Sequence, residues 1–321
     1  MTIFSPRRAG AFACATFALL TVPAAHAAET GPATPDAIVA ASPAGDWQAI
    51  PADELLVMTL APAKDGSSRQ IVIQLVPSPY SQGWVDNIRK LAKAHWWDGT
   101  SVYRVVDNWV TQWGDAEETK PLPDSLRDIP ESEYITPLGK AISLSCDKAE
   151  TPQALCDSYA PVAQIIDGWP LASDGTSRWP VHCYGSVGVA RNLSPDTGSG
   201  AELYTVIGHA PRQLDRNVAV VGRVIEGMTY LSTLPRGKGP AGTYADPAMR
   251  VPIRSVRLAS QLPEADRPAF EFMTDDSDSF AHYFALRAAR HDDFYHVPAH
   301  GVDVCNVPVP IRARKTGASA E

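Results

Sequence analysis

The chain has 321 residues, of which 45% are hydrophobic and 20% are charged, a composition typical of a folded protein and not of a disordered one. Its 28 prolines and 22 glycines predict many turns and loops and few long helices. The formal net charge is -8, and there is no cluster of lysines and arginines. This balance argues against nucleic acid or an anionic membrane surface as a partner.

The first 27 residues have the pattern of a secretory signal peptide. Arg7 and Arg8 supply a positively charged start, residues 9–22 form an apolar stretch, and residues 25–27 offer a small-residue cleavage site. A membrane anchor needs about 20 apolar residues, so an uncleaved span is the alternative that fits less well. We therefore expect residues 1–27 to be removed, and the rest of the chain to be exported as a soluble protein without a membrane span.

Residues 28–50 are rich in alanine, proline and glycine, and they predict a flexible leader. Beyond this leader, runs of alternating or β-branched apolar residues predict strands. The spacing of Trp84, Ile88 and Leu91 predicts a helix with Ser81 as its N-cap. The predicted strands cover residues 53–60, 70–76, 100–106, 109–113, 185–190, 203–207, 218–224 and 250–258, and the predicted helices cover residues 81–95, 226–234 and 279–290.

Residues 116–181 interrupt this pattern. They are rich in proline, aspartate and serine, and they predict a long loop insertion on a scaffold of strands. Many short strands and few helices predict a mainly β fold, either closed or sandwiched. We therefore divide the exported chain into a body over residues 51–260, which contains the insertion, and a C-terminal extension over residues 261–321 that packs on it.

Four cysteines remain after the predicted signal peptide: Cys146, Cys156, Cys183 and Cys305. An even number in an oxidising compartment predicts two disulfides, although the sequence allows three pairings and four reduced thiols are the alternative. We expect Cys146 to pair with Cys156 in a short local loop, and Cys183 to pair with Cys305. The second bond would tie the C-terminal extension to the body. No CxxC motif is present, which argues against a redox or zinc site.

The candidate chemistry lies in residues 103–115. Arg104 and Gln112 are eight residues apart, so on continuous β structure they would share a face with Val106 and Val110. Such a face would place a cation and an amide beside an apolar pocket. Spacing by itself favours the alternative, in which the arginine pairs with a carboxylate on a solvated strand.

This stretch resembles the signature of the cyclophilin family of peptidyl-prolyl cis–trans isomerases. Arg104, Gln112, Gly114 and Asp115 match the signature, and Tyr103 stands at the position of its histidine. The combination is more specific than any one of these matches.

Further blocks agree with the same family in order and spacing. Residues 71–75 resemble its opening strand, and residues 85–88 with residues 98–100 resemble its first helix and the exit from that helix. Residues 185–191 resemble the Gly-Thr-Val-x-Met-Ala-Arg block of bacterial members, and residues 222–228 resemble Gly-x-Val-x-Glu-Gly-Met. The resemblance implies a closed antiparallel β-barrel capped by two helices, in an exported, periplasmic member with a long loop insertion and a C-terminal helical extension.

The resemblance also implies an activity and a set of site residues. Family members rotate X–Pro peptide bonds without a metal or cofactor, so we expect none here, and we expect X–Pro segments of unfolded exported proteins as partners of a monomer. By resemblance, Arg104 would donate a hydrogen bond to the prolyl nitrogen, and Gln112 would hold the neighbouring substrate backbone. The substrate-binding residues implied in the same way are Trp109, Val110, Glu202, Tyr204 and Leu214.

Besides Tyr103, further positions depart from the family pattern. Glu202 replaces a glutamine, Leu203 and Tyr204 replace two phenylalanines, Gln213 replaces a tryptophan of many members, and Val218 replaces a histidine of many members. A carboxylate at position 202 could clamp Arg104. The alternative function is therefore a catalytically weak Pro-peptide-binding module or chaperone on the same fold.

Two other constellations are weaker. Residues 196–199 spell Asp-Thr-Gly-Ser, as in aspartic proteases, but a second copy and the preceding apolar residues are missing. We interpret them as a turn. The histidines and aspartates of residues 291–300 lack the spacing of a helical ligand pair, so we interpret them as a solvated loop and not a metal site.

Overall fold

The computed structural model describes residues 34–142 and 155–314 of the chain, so the predicted signal peptide lies outside the described residues. None of the helices in this part of the chain is long and apolar enough to cross a membrane. The α-helices are α1 (Pro35–Ala41), α2 (Gln82–Lys93), α3 (Thr229–Ser232) and α4 (Asp278–Ala289). The strands are β1 (Trp47–Ala49), β2 (Leu55–Leu60), β3 (Arg69–Leu75), β4 (Ser101–Val105), β5 (Val110–Gly114), β6 (Thr136–Pro137), β7 (Val162–Ile166), β8 (Trp169–Ser173), β9 (Ser177–Pro180), β10 (Ser186–Val189), β11 (Leu203–Val206), β12 (Val220–Glu226), β13 (Val251–Leu258), β14 (Phe270–Met273) and β15 (Ile311–Ala313).

Eight strands close into a barrel in the order β10-β11-β5-β4-β13-β2-β3-β12. Every pair of neighbours is antiparallel. This arrangement confirms the predicted mainly β fold with a closed antiparallel barrel. Each barrel strand predicted from the sequence is present, and its ends differ from the prediction by at most two residues.

Strand β3 shows why the alternating pattern was informative. Ile71, Ile73 and Leu75 belong to the main apolar core, which is the one that includes the barrel interior, and none is more than 2% exposed. Val72 points to the other face of the strand and is also buried, because it belongs to a second core that includes residues of the C-terminal extension. The barrel wall is thus covered on its outer side at this strand.

Helix α2 packs against β12 and β13 through its apolar face. Trp84, Ile88 and Leu91 are fully buried there, as their helical spacing predicts. Ser81 occupies the N-cap position as predicted, but its backbone is left-handed with φ 50 and its side chain makes no capping hydrogen bond. A capping serine normally has an extended backbone, from which its hydroxyl reaches the first turn. The second predicted cap of the barrel, α3, is a single turn that packs against β3.

The insertion over residues 116–181 is not simply a loop. Its described part contains a four-stranded antiparallel sheet in the order β6-β9-β8-β7. Asp167 and Gly168 join β7 to β8, with φ values of 50 and 72. An Asp-Gly pair with two positive φ values is typical of a tight hairpin turn. This dipeptide is a sequence feature from which a hairpin within the predicted loop could have been inferred.

The predicted flexible leader over residues 28–50 also differs from the structure, from Thr34 onward. Helix α1 packs against α4, and β1 pairs with β14, which in turn pairs with β15. Trp47 is only 8% exposed and shares the second core with Phe272 and Phe280. Burial of Trp47 against the C-terminal extension holds the segment in place. Composition alone could not identify the extension as the partner of this segment.

One predicted disulfide is present, between Cys183 and Cys305. It joins residues 122 positions apart and ties the C-terminal extension to the segment that precedes β10. Cys156 is also disulfide-bonded, and its predicted partner Cys146 lies outside the described residues.

Candidate active site

Four barrel strands bring three candidate residues into one row. Arg104 of β4 pairs with Gln112 of β5, which pairs with Tyr204 of β11, and Tyr204 pairs with Gly188 of β10. Residues that are paired directly across antiparallel strands point to the same face. The sequence predicted a shared face for Arg104 and Gln112 from even spacing along one strand. The structure places them instead on two strands of a hairpin, opposite each other.

Arg104 is fixed by two hydrogen bonds. Its Nε donates to the carbonyl of Ala241 at 2.6 Å, and its Nη1 donates to Oε1 of Gln112 at 2.8 Å. Within residues 34–142 and 155–314, no acceptor binds Nη2 of this guanidinium. Partial burial lowers the pKa of Arg104, but an arginine remains charged at neutral pH. The site therefore holds an oriented cation with a donor group still available.

The carboxylate of Glu202 does not clamp Arg104. Its Oε2 accepts a hydrogen bond from the hydroxyl of Tyr103 at 2.8 Å, and its Oε1 accepts one from the backbone amide of Asp115 at 2.6 Å. The same Tyr103 hydroxyl accepts from Nε2 of Gln112 at 2.5 Å. A chain of hydrogen bonds therefore runs from Arg104 through Gln112 and Tyr103 to Glu202.

Gly114 makes room for this carboxylate. A Cβ atom at Gly114 would lie 2.1–2.2 Å from the carboxyl atoms of Glu202, and Gly114 itself has a φ of 149. Burial raises the pKa of Glu202 to about 7, although the hydrogen bonds from Tyr103 and Asp115 oppose that shift. The charge on Glu202 therefore changes near neutral pH.

Next to Arg104 lies a mostly apolar pocket of about 500 Å³. Val110 and Tyr204 form a small buried cluster there, and Leu214 packs against it. Trp109 also lines the pocket and is 41% exposed. A cavity of this volume has room for an apolar side chain or ring together with part of the peptide that carries it. Six of the predicted site residues line this one pocket: Arg104, Trp109, Val110, Gln112, Tyr204 and Leu214.

The seventh predicted residue, Glu202, lies in a neighbouring groove of about 820 Å³. Tyr103 and Gln112 line both cavities and separate Glu202 from the apolar pocket. Residues 122–124 and 126–129 of the insertion form one side of the groove. The structure therefore assigns the insertion a position beside the candidate site.

Sequence reasoning missed the polar groups behind the pocket. The hydroxyl of Tyr204 lies 2.8 Å from Nε2 of His182, and Nδ1 of His182 lies 2.9 Å from Oδ1 of Asp215. His182 is fully buried. The sequence contained one indication of these groups: Tyr204 stands where the family has phenylalanine, and a buried tyrosine hydroxyl usually needs a hydrogen-bond partner.

The rival constellations do not form sites in the structure. Asp196 accepts hydrogen bonds from the backbone amides of Asn192 and Gly198, as expected for a turn. In the described part of the chain, no three His, Cys, Asp or Glu side chains lie close enough to hold a metal ion. The chemistry that remains is an oriented cation beside an apolar pocket, which can bind a small ring and polarise an atom next to it.

A family profile described as cyclophilin type peptidyl-prolyl cis-trans isomerase/CLD matches residues 65–258. This match covers more than half of the chain and includes seven of the eight barrel strands, all except β2. The chain therefore belongs to the cyclophilin-type peptidyl-prolyl cis–trans isomerase family. A comparison with curated proteins finds no match.

Among solved structures, the chain is similar to the cyclophilin AquaCyp293 from Hirschia baltica, with 20% identity and a TM-score of 0.62. The likeness covers 88% of this chain and 97% of that one, so the shared fold extends beyond residues 65–258. A second similar structure is a Cryptosporidium parvum cyclophilin type peptidyl-prolyl cis-trans isomerase in the presence of the dipeptide Ala-Pro. It is 12% identical over 66% of this chain and 98% of that one, with a TM-score of 0.37. The first likeness supports the barrel fold.

Proposed function

We propose that this protein is an active peptidyl-prolyl cis–trans isomerase that assists the folding of exported proteins. The observation that supports this proposal is the position of Arg104, whose guanidinium borders the apolar pocket while Ala241 and Gln112 fix its orientation. A fixed donor beside an apolar pocket is what catalysis of X–Pro rotation requires.

Amide resonance opposes rotation about a peptide bond with a barrier of about 18–20 kcal/mol. X–Pro bonds populate both isomers, and unaided exchange takes about 10–100 s. No bond is broken, so a catalyst needs only to bind the twisted amide better than either planar form. In the twisted amide the prolyl nitrogen becomes pyramidal and gains a lone pair that accepts a hydrogen bond.

The pocket residues divide this work. Val110, Tyr204 and Leu214 seat the proline ring by apolar contact, and Nη2 of Arg104 donates to the prolyl nitrogen as its lone pair develops. Gln112 orients Arg104 through the hydrogen bond at 2.8 Å. The second N–H of its amide is then available to the substrate backbone, since a primary amide has two donors. The donor is in place before the amide twists, which limits reorganisation in the transition state.

The place of action we propose is the periplasm. The signal-peptide pattern of residues 1–27 supports export. The disulfide between Cys183 and Cys305 supports an oxidising compartment. The partners would be proline-containing segments of unfolded exported proteins, bound by a monomer. Cell fractionation with an antibody against the mature chain tests this assignment, and recovery of the full-length, unprocessed chain from the cytoplasm would contradict it.

A second candidate function is a Pro-peptide-binding module with little turnover. The observation that favours it is the partly buried carboxyl of Glu202, at a position where the resemblance implies a glutamine. Gln213 and Val218 also replace residues that many family members have. Such a module would bind X–Pro peptides in the same pocket but would not accelerate their isomerisation.

A protease-coupled assay on X–Pro tetrapeptides separates the two functions. The wild-type chain should accelerate isomerisation, and Arg104→Ala should reduce kcat/KM by about 100-fold, as is typical for loss of one transition-state donor. Arg254→Ala is the matched control, because Arg254 is an exposed arginine of strand β13 that does not line the pocket. Full activity in folded Arg104→Ala would contradict the proposed mechanism. Peptide binding without acceleration by the wild type would favour the binding module.

A further inference from the structure

The polar groups behind the pocket form a chain of hydrogen bonds. A carboxylate only accepts hydrogen bonds, so Nδ1 of His182 donates to Oδ1 of Asp215 at 2.9 Å. The Nε2 atom of His182 is hydrogen-bonded to the hydroxyl of Tyr204 at 2.8 Å. His182 is fully buried, and Asp215 is 8% exposed. Because these groups are shielded from water, an unmade bond in this chain would be costly.

Asp215 also holds a second wall of the pocket. Its Oδ2 accepts from Nε of Arg212 at 2.6 Å, and its Oδ1 accepts from the backbone amide of His182 at 3.0 Å. Arg212 and Leu214 belong to the same short 3₁₀ turn, Arg212–Leu214. One carboxylate therefore ties the turn that presents Leu214 to the histidine that holds Tyr204.

Tyr204, His182 and Gly188 fit together as one set. A Cβ atom at Gly188 would lie 2.4 Å from both Cζ and the hydroxyl oxygen of Tyr204, so glycine admits the hydroxyl end of this ring. The rings of His182 and Tyr204 are nearly parallel, at 11°, with their centroids 6.2 Å apart. A phenylalanine at position 204 would leave Nε2 of His182 without this partner in a buried site.

We propose that His182 and Asp215 are positioning residues that set the width of the pocket by fixing Tyr204 and Leu214 relative to each other. This inference rests on the proposed isomerase function of the same pocket. Neither residue lines the pocket, so both act through the two walls. The consequence is selectivity for ring size: a pocket of fixed width accepts a five-membered proline ring better than the six-membered ring of pipecolic acid.

The test compares prolyl and pipecolyl peptides on three variants. Tyr204→Phe and His182→Leu each remove the bond between the two rings, and each should lower kcat/KM for the prolyl peptide by about tenfold, the effect of one lost buried hydrogen bond. Both should also lower the ratio of prolyl to pipecolyl kcat/KM. His182→Gln should retain most of that ratio, because its amide can accept from Tyr204 and donate to Asp215.

The ratio is the decisive measurement, because the amount of folded protein affects both substrates equally. Ile253→Val removes one methylene group from the main core outside the pocket, so it is the control that should leave the ratio unchanged. An unchanged ratio in Tyr204→Phe overturns the proposal even if His182→Leu fails to fold. If the wild type accelerates neither peptide, the isomerase function fails and the same ratio is measured on dissociation constants. If Tyr204→Phe lowers the preference for binding the prolyl peptide over the pipecolyl peptide, the positioning role is supported. An unchanged preference overturns it.

Discussion

The hydroxyl of Tyr103 donates a hydrogen bond of 2.8 Å to the carboxylate of Glu202, although the two residues are 99 positions apart in the chain. Through Gln112, this bond connects a carboxyl group that titrates near neutral pH to the arginine of the proposed active site. Both residues depart from the family pattern described above, since Tyr103 stands for a histidine and Glu202 for a glutamine. The two replacements thus form one structural unit.

The first prediction concerns stability and pH. Burial raises the pKa of Glu202 from 4.5 to about 7, so between these values the folded protein binds more protons at this group than the unfolded chain. The contribution of Glu202 to the free energy of unfolding is therefore complete below about pH 4.5, and it is lost as the pH rises through 7. The loss is at most about 3 kcal/mol.

Urea unfolding at pH 5 and pH 8 measures this effect. Glu202→Gln removes the titration but keeps an acceptor for Tyr103, so its free energy of unfolding should fall less between the two pH values than that of the wild type. Other groups titrate in both proteins and cancel in the comparison. Equal pH dependence in wild type and Glu202→Gln would show that Glu202 does not titrate in this range.

The second prediction concerns the path from Glu202 to Arg104. Tyr103→Phe removes the hydroxyl that accepts from Gln112 and donates to Glu202, so Gln112 orients Arg104 less well. We expect about a tenfold loss of kcat/KM, the scale of one hydrogen bond. In a double-mutant cycle, any effect of Glu202→Gln on activity should be much smaller in the Tyr103→Phe background. Additive effects would mean that Glu202 influences the site by another route.

The third prediction concerns Gly114. Gly114→Ala places a Cβ atom 2.1–2.2 Å from the carboxyl of Glu202 and forces a non-glycine residue to a φ of 149. We expect the free energy of unfolding to fall by about 2 kcal/mol, typical of overpacking. Gly45→Ala is the control, because no atom lies within 4 Å of a Cβ at that position. If the clash is the cause, Glu202→Ala should reduce the loss caused by Gly114→Ala, as measured by urea unfolding.

The fourth prediction concerns the disulfide between Cys183 and Cys305, which spans 122 residues. Closing a loop of that size stabilises a fold by about 5 kcal/mol in the chain-entropy model. Cys183→Ser with Cys305→Ser should therefore lower the free energy of unfolding by several kcal/mol while the barrel remains folded. Circular dichroism at increasing urea concentration measures the loss. An unchanged unfolding midpoint would show that the extension is held by its apolar contacts alone.

The sequence by itself predicted the strands of the barrel because strand periodicity is local, whereas closure of the barrel was implied by the family resemblance. Alternating residues such as Ile71 and Ile73 mark strands whose one face enters the main core, and Trp84 and Ile88 mark a helix by their spacing. Six of the seven site residues could also be placed at one pocket from the family resemblance, although Gln112 orients Arg104 in the structure in addition to any contact with substrate.

Two sheets outside the barrel were not predicted. The strand that contains Trp47 depends on a sheet formed with the C-terminal extension, and composition alone suggested a flexible leader. The sheet of the insertion was hidden by its prolines and serines, although the Asp167-Gly168 pair could have indicated a hairpin.

The site's polar partners were decided by the tertiary structure alone. His182 lies 22 residues from Tyr204 and 33 residues from Asp215, and no local spacing relates them. The sequence could show that a glutamate stands at position 202, but the fold decides that it binds Tyr103 and not Arg104. The physical reason is that a strand periodicity depends on neighbours in the chain, whereas hydrogen-bond partners and burial depend on what folding brings together.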